Sequence, residues 1–290
     1  MKRFQVTVAI LAASMLAFQG CSITQLTIGA TSGIIKGAFE AMNRETDLEL
    51  ASQAIPSDLK LLDGLILEAP KDKSLLLLGA EGYTSYALGF VEDSSAPRAS
   101  LFYLRARNYG LRILFKNKDF KDHFKGDVAD FQKALNKFGK DDVPAVFWTA
   151  NAWGNYINLN RDNVDALSDL PKAEAMMRFV LKYDPAYFYG GAHLFFGTIL
   201  GSLPAMFGGD TTKSREHFEK AIQISDGKFM MTYYYYAKTY AVMTQNKTLF
   251  ESLLSKVIDQ PANLLPQQNL ANEIAKEKAR ALLSDESDYF

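Results

Sequence analysis

Catalysis needs convergent groups, and this chain supplies few. Its three histidines, His123, His193 and His217, are scattered, and Cys21 is the single cysteine, so no Cys-based zinc site and no intrachain disulfide can form. No Gly-x-Ser-x-Gly nucleophile elbow and no His-Glu-x-x-His helix occurs. Gly190-Gly191 and Gly208-Gly209 do not make a phosphate loop, because Lys213-Ser214 comes four residues after Gly209 instead of directly behind a glycine. Glu251-Ser252 has the acid-serine order of some helical glycan-cleaving enzymes but lacks their downstream Gly-Leu-Met-Gln-type segment. The chain is read as a non-enzyme without cofactor or metal. The balance of 32 basic and 33 acidic residues leaves no positive excess to release phosphate counterions, so nucleic acid is not expected as a partner.

Binding chemistry is better supplied. A helix over Val146–Leu159 puts Asn151, Asn155 and Asn158 at i, i+4 and i+7, on one face, with Trp148 on the neighbouring one. Carboxamides donate and accept without an isolated charge. They either bond the backbone ends of adjacent helices or line a pocket beside Trp148 and Trp153. Tyr233–Tyr236 is a run of four tyrosines; at about 100° per residue they point all round a helix, so some face the core and others a cavity or a partner. His193 has an ordinary reading too, as a polar group satisfied between packed helices. The expectation is an apolar cavity framed by the Trp148, His193 and tyrosine helices. Its candidate lining is Trp148, Asn151, Trp153, Asn155, Asn158, His193, Tyr233 and Tyr236; the alternative is a dense aromatic core with no void. Pro204, Gly208, Gly209 and Asp210 end one helix, turn the chain and cap the next, and form a candidate partner loop.

The elements that must position these groups are helices. Apolar residues make up 48% of the chain and charged residues 22%, a globular composition, and period-two alternation is almost absent. Leu59, Leu62, Ile66 and Ala69 share one face of Ser57–Ala69. Phe124, Val128, Phe131, Leu135 and Phe138 repeat at steps of four and three, which predicts one continuous stripe. Further helices are predicted over Pro171–Tyr183, Tyr187–Leu203, Thr212–Ile224, Phe229–Thr244, Leu249–Ile258 and Gln267–Leu283. Short links favour antiparallel neighbours. Helix ends recur near Val180, Ala221 and Val257, a spacing similar to tetratricopeptide (TPR) repeats with insertions. The predicted fold is all-α, with TPR-like antiparallel helix hairpins stacked into a compact superhelical array.

The N-terminus reads as an export signal. Lys2 and Arg3 precede Phe4–Phe18, an uncharged run of 15 residues, short of the roughly 20 that a membrane-spanning helix needs. Phe18-Gln19-Gly20-Cys21 follows and resembles a bacterial lipobox, which implies cleavage after residue 20 and a covalent lipid on Cys21. Loss of residues 1–20 removes Lys2 and Arg3 and leaves 30 basic and 33 acidic residues, a net charge of −3. Each buried acyl CH2 contributes about 0.8 kcal/mol, so more than one chain makes release slow. Ser22 is not the Asp that marks inner-membrane retention, which leans toward the outer membrane. The expected organisation is a signal peptide over 1–20, an anchored segment with a first helix over 21–46, and a single helical domain over 47–290.

Behind this leader, short motifs run in order along the chain: Ala54-Ile55-Pro56, Phe147-Trp148-Thr149-Ala150-Asn151-Ala152-Trp153-Gly154, Tyr189-Gly190-Gly191-Ala192-His193-Leu194, Gly208-Gly209-Asp210, His217-Phe218-Glu219-Lys220-Ala221-Ile222 and Leu270-Ala271-Asn272-Glu273. Together they resemble the T-component family of TRAP (tripartite ATP-independent periplasmic) transporters. The resemblance implies a periplasmic lipoprotein, held to the membrane by its lipid alone, that assists a solute-binding protein and handles an apolar ligand through an internal tunnel; some members form ring-like homotrimers. The competing reading is an envelope assembly scaffold that binds protein segments on a concave surface without a small ligand. A continuous apolar tunnel would favour the first, a charged open groove the second.

Overall fold

The computed structural model describes residues 33–261 and 263–290. The expected leader, Cys21 and Ser22 lie outside the described residues. Met42–Phe290 forms one compact unit. Among the described residues every regular element is helical, and no helix is long and apolar enough to cross a membrane.

The described chain opens in α1 (residues 33–43). In α2 (Leu48–Glu68), the Asp47 carboxylate caps the start by accepting from the amides of Glu49 and Leu50, and Ala51, Leu59, Leu62 and Ile66 form the buried stripe. The predicted segment Ser57–Ala69 is the second half of this helix; Pro56 lies inside it. The helix α3 (Lys73–Tyr86) runs on into a π-turn over Ala87–Val91, and α4 (Ala96–Leu114) returns alongside it. Asp63 ties α2 to both, since its carboxylate accepts from the hydroxyls of Tyr83 at 2.8 Å and Tyr109 at 2.7 Å and from Arg105 at 3.2 Å. Burial would raise the Asp63 pKa, yet the Lys60 ammonium at 2.6 Å, followed by the Tyr109 and Tyr83 hydroxyls, holds it below the usual carboxylate value.

Of the stripe predicted over Phe124–Phe138 only Val128–Leu135 is helical, as α6; Phe124 lies just past the end of the short α5 (Lys118–His123), and Phe138 lies in the turn after α6. The break has a local cause. Asp127 accepts from the Asp130 amide at 2.9 Å and starts a new helix behind Gly126. The apolar spacing survives because the phenylalanines still converge, with Phe120 and Phe131 at 5.2 Å and Phe120 and Phe138 at 5.1 Å between ring centroids.

The central helix is α7 (Val143–Leu159), which starts with Pro144 in its first turn and buries ten residues. It packs on α3, α4 and α9. Its approach to α4 is close because Gly110 has no side chain: a Cβ there would lie 2.0 Å from Thr149 Oγ1. Thus α4 takes α7 as its main neighbour across the insert of α5 and α6, and the array is not a plain succession of hairpins. After α8 (Val164–Ser168) and α9 (Leu170–Tyr183), α10 (Tyr187–Ser202) and α11 (Thr211–Ile224) lie against each other. Next come α12 (Met230–Tyr235) with a π-turn over Tyr236–Ala241, α13 (Lys247–Ile258) and α14 (Asn269–Ser284). The last helix is pinned at two points. Asn272 accepts from the Met230 amide and donates to the Lys228 carbonyl, both at 2.9 Å. The buried Lys278 ammonium pairs with Glu92 at 3.3 Å and with Asp93 in the link before α4.

Candidate functional site

A partly open cavity of about 170 Å3 lies where α7, α10, α12, α14 and the end of α3 meet. The α7 side of it is the amide face: Asn151, Asn155 and Asn158 line it, with Trp148 beside them. Phe188 of α10 and Phe229 ahead of α12 add aromatic wall, and Thr198 adds a hydroxyl. No charged side chain is among the lining residues. Such a space excludes bare ions and favours an apolar body with few hydrogen-bonding groups.

Two glycines set the spacing of the opposing walls. A Cβ on Gly154 of α7 would meet Cε2 of Phe195 at 2.5 Å, and a Cβ on Gly191 of α10 would meet Cε2 of Phe147 at 2.6 Å. Each helix therefore receives a ring from the other at a position without a side chain.

The start of α10 is unusual. Phe188, Tyr189 and Gly190 have φ of 46°, 57° and 77°, three consecutive left-handed residues. This conformation suits Gly190 but costs a Phe or Tyr about 1–2 kcal/mol each. Packing offsets the strain. The Phe188 ring stands edge-on to Trp148 at 4.8 Å and to Phe229 at 5.8 Å, and Tyr189 stacks on Phe229 at 5.2 Å. The turn thereby sets the Phe188 ring into the cavity wall.

Not every candidate from the sequence faces this space. Trp153 is on the far side of α7, stacked on Phe124 at 5.5 Å with the Arg107 guanidinium 5.2 Å above its ring, and its indole N–H lacks a partner. His193 pairs with His217 across α10 and α11, Nδ1 to Nδ1 at 2.9 Å. Burial, then repulsion from His217 when that ring is protonated and from the Lys220 ammonium, lowers the His193 pKa to about 4, and burial lowers that of His217, so one neutral ring donates to the other at pH 7. Tyr233 lies under the Lys256 ammonium at 4.5 Å, and Tyr236 stacks on Phe218 at 4.6 Å. Of the four tyrosines it is Tyr235 that lines the cavity. Sequence reasoning also passed over Phe147, Phe188, Phe229 and Thr198.

Glu81, one turn before Ser85 of the cavity rim, is half-buried, and the protein atoms packed round it push its pKa up to about 7. Among the described residues no cation pairs with it, and no group of three or more His, Cys, Asp or Glu converges.

The α10–α11 loop is tightly built. Gly208 has φ of 91°, and a Cβ on Gly209 would fall 1.7 Å from the Leu203 carbonyl oxygen. The Gly209 amide donates to the Pro204 carbonyl at 3.1 Å, and Asp210 caps α11 by accepting from the Lys213 amide at 3.0 Å. Bent this way, the loop presents Met206 and Phe207 to solvent, 82% and 67% exposed.

The sequence model of the TRAP transporter T-component family matches residues 44–290. The chain belongs to this family. An uncharacterized protein of Treponema pallidum (strain Nichols) is similar to it, at 24% identity over 96% of this chain and 95% of that one. The matched span of this T-component contains α2 to α14 and the whole described cavity apart from Asn43. It is a component of a TRAP-type transport system.

Proposed function

We propose that this T-component holds an apolar ligand in the cavity between α7 and α10 and passes it to a periplasmic solute-binding protein docked on its surface. The observation that carries this reading is the uncharged, aromatic-walled cavity at the junction of five elements. The ligand-binding set is then Trp148, Asn151, Asn155 and Asn158, joined by Phe188 and Tyr235. The docking loop is Pro204–Asp210, whose exposed Met206 and Phe207 offer apolar surface to a partner. Lipidation of Cys21 would tether the chain to the outer membrane from the periplasmic side, and assembly into a homotrimer would set several cavities side by side.

The test is native mass spectrometry of the protein as the cell matures it, with and without a TRAP-type solute-binding protein of the same organism. A complex and a bound apolar compound are expected, with the complex weakened in the double variant Met206→Asp, Phe207→Asp. A complex that forms with no ligand on either partner would favour the scaffold reading, for which the same exposed pair also speaks. Absence of both the complex and a bound ligand would refute the proposal.

A further inference from the structure

The amide face of the cavity has a defined polarity, and its hydrogen bonds fix which end of each carboxamide is free. Asn155 Nδ2 donates to the Asn151 carbonyl at 3.0 Å and to Asn151 Oδ1 at 3.2 Å. A backbone carbonyl can only accept, so the nitrogen of Asn155 must point there and its Oδ1 is left over. Arg161 donates to Asn158 Oδ1 and to Ser202 Oγ. A guanidinium can only donate, so it takes the oxygen of Asn158 and leaves Nδ2 free. Asn151 spends its Oδ1 on Asn155 and also keeps Nδ2 free. Among the described residues none of these three leftover groups has another partner. Read along α7, the cavity wall therefore offers a donor at Asn151, an acceptor at Asn155 and a donor at Asn158, over about 10 Å at 1.5 Å rise per residue.

That order discriminates between ligand head groups. A carboxylate only accepts and would face the Asn155 oxygen unpaired; no charged side chain lines the cavity itself, and the Arg161 guanidinium beside its mouth is held by Asn158 Oδ1 and Ser202 Oγ. A quaternary ammonium neither donates nor accepts and would leave all three groups unpaired. A hydroxyl or carboxamide donates and accepts and can satisfy donor and acceptor together. Asn158 is exposed, Asn151 is half-buried and Trp148 is buried, so the wall passes from polar at the mouth to aromatic inside.

We infer that the cavity selects amphiphiles with an uncharged, hydroxyl- or amide-bearing head: the head lies on the Asn151–Asn158 ladder and the apolar tail runs toward Trp148 and Phe188. The inference rests on the cavity being a ligand site, and the experiment separates the two. The protein as the cell matures it is titrated with 1-lauroylglycerol, laurate and dodecyltrimethylammonium, which share one chain length, each below its micelle concentration and followed by tryptophan fluorescence. The lauroylglycerol is expected to bind at least tenfold more tightly than either charged probe. Asn155→Leu, which removes the acceptor, should weaken it about tenfold and leave the charged probes unchanged. Asn155→Asp keeps the shape and should shift preference toward the ammonium probe. Laurate binding as tightly as lauroylglycerol, or Asn155→Leu leaving the lauroylglycerol affinity unchanged, would overturn the head-group inference while the ligand site stands. Failure of all three probes to bind would overturn both.

Discussion

Gly154 offers a way to close the cavity without unfolding the protein. It lies in the α7 wall, and the Phe195 ring of α10 occupies the place of its missing side chain. A Cβ there falls 2.5 Å from Cε2 of Phe195, about 1 Å inside the usual carbon–carbon contact of roughly 3.5–4.0 Å. Gly154→Ala must therefore move the ring by about 1 Å, and since Phe195 itself borders the cavity, the ring yields into it. Two energies oppose each other in stability. Alanine in a helix interior is favoured over glycine by about 0.8–1 kcal/mol, and pushing the ring off its rotamer costs about 0.5–1.5 kcal/mol. The net change stays within about 1 kcal/mol, a shift in Tm of no more than about 2–4 °C. Binding has no such cancellation. One methylene too many in an apolar pocket costs about 1–3 kcal/mol, or roughly tenfold or more in affinity. Thermal unfolding of the free protein, paired with fluorescence titration of 1-lauroylglycerol, reads both quantities. A folded Gly154→Ala variant with parental affinity would mean that the Phe195 ring does not yield into ligand space.

Other substitutions separate the fold from the site. Gly110→Ala places a methyl 2.0 Å from Thr149 Oγ1, whose hydroxyl is already committed to the Ala145 carbonyl at 2.6 Å; overpacking of α4 on α7 should cost about 1–3 kcal/mol in urea unfolding and leave the ladder's head-group preference intact. Lys278→Met leaves the half-buried Glu92 carboxylate with the Tyr103 hydroxyl, at 2.6 Å, as its remaining donor and should cost about 3 kcal/mol, whereas Asp93→Ala, at a largely exposed carboxylate, should cost less than about 1 kcal/mol. Glu81 has a folded pKa of about 7 against a reference value of 4.5, so the folded state keeps its proton longer. Its stabilising effect is complete below pH 4.5 and declines as pH rises through 7; up to about 3 kcal/mol is lost. Glu81→Gln should flatten the difference in unfolding free energy between pH 5 and pH 8.

Side-chain periodicity made α7 readable. Asn151, Asn155 and Asn158 share a face by their spacing alone, and the fold turns that face to the cavity. The same rule argues against pairing them with Trp153, which is two residues, or about 200°, round the helix from Asn151 and packs on Phe124 instead. The tyrosine run had no such phase, because four identical residues do not say which one faces inward; packing of α12 on α14 and the π-turn that follows leave Tyr235 on the cavity. Phe188 was illegible for a different reason. Its place in the wall depends on a left-handed turn that propensity disfavours for Phe and Tyr and that only contacts with Trp148 and Phe229 sustain. The helices themselves were legible wherever apolar spacing and caps agreed, as from Thr212 to Ile224. They were misread where a cap interrupted a continuing stripe, as Asp127 does between Phe124 and Val128.

On the proposed function, the space between α7 and α10 carries an apolar, uncharged guest in the cell. Organic extraction of the protein recovered from its own envelope, followed by mass spectrometry of the extract, tests it most directly. A neutral amphiphile is expected in near-stoichiometric amount from the parent, and its loss is expected from a folded Gly154→Leu variant. An extract with no stoichiometric compound, or the same compound at the same level from both proteins, would contradict the proposal.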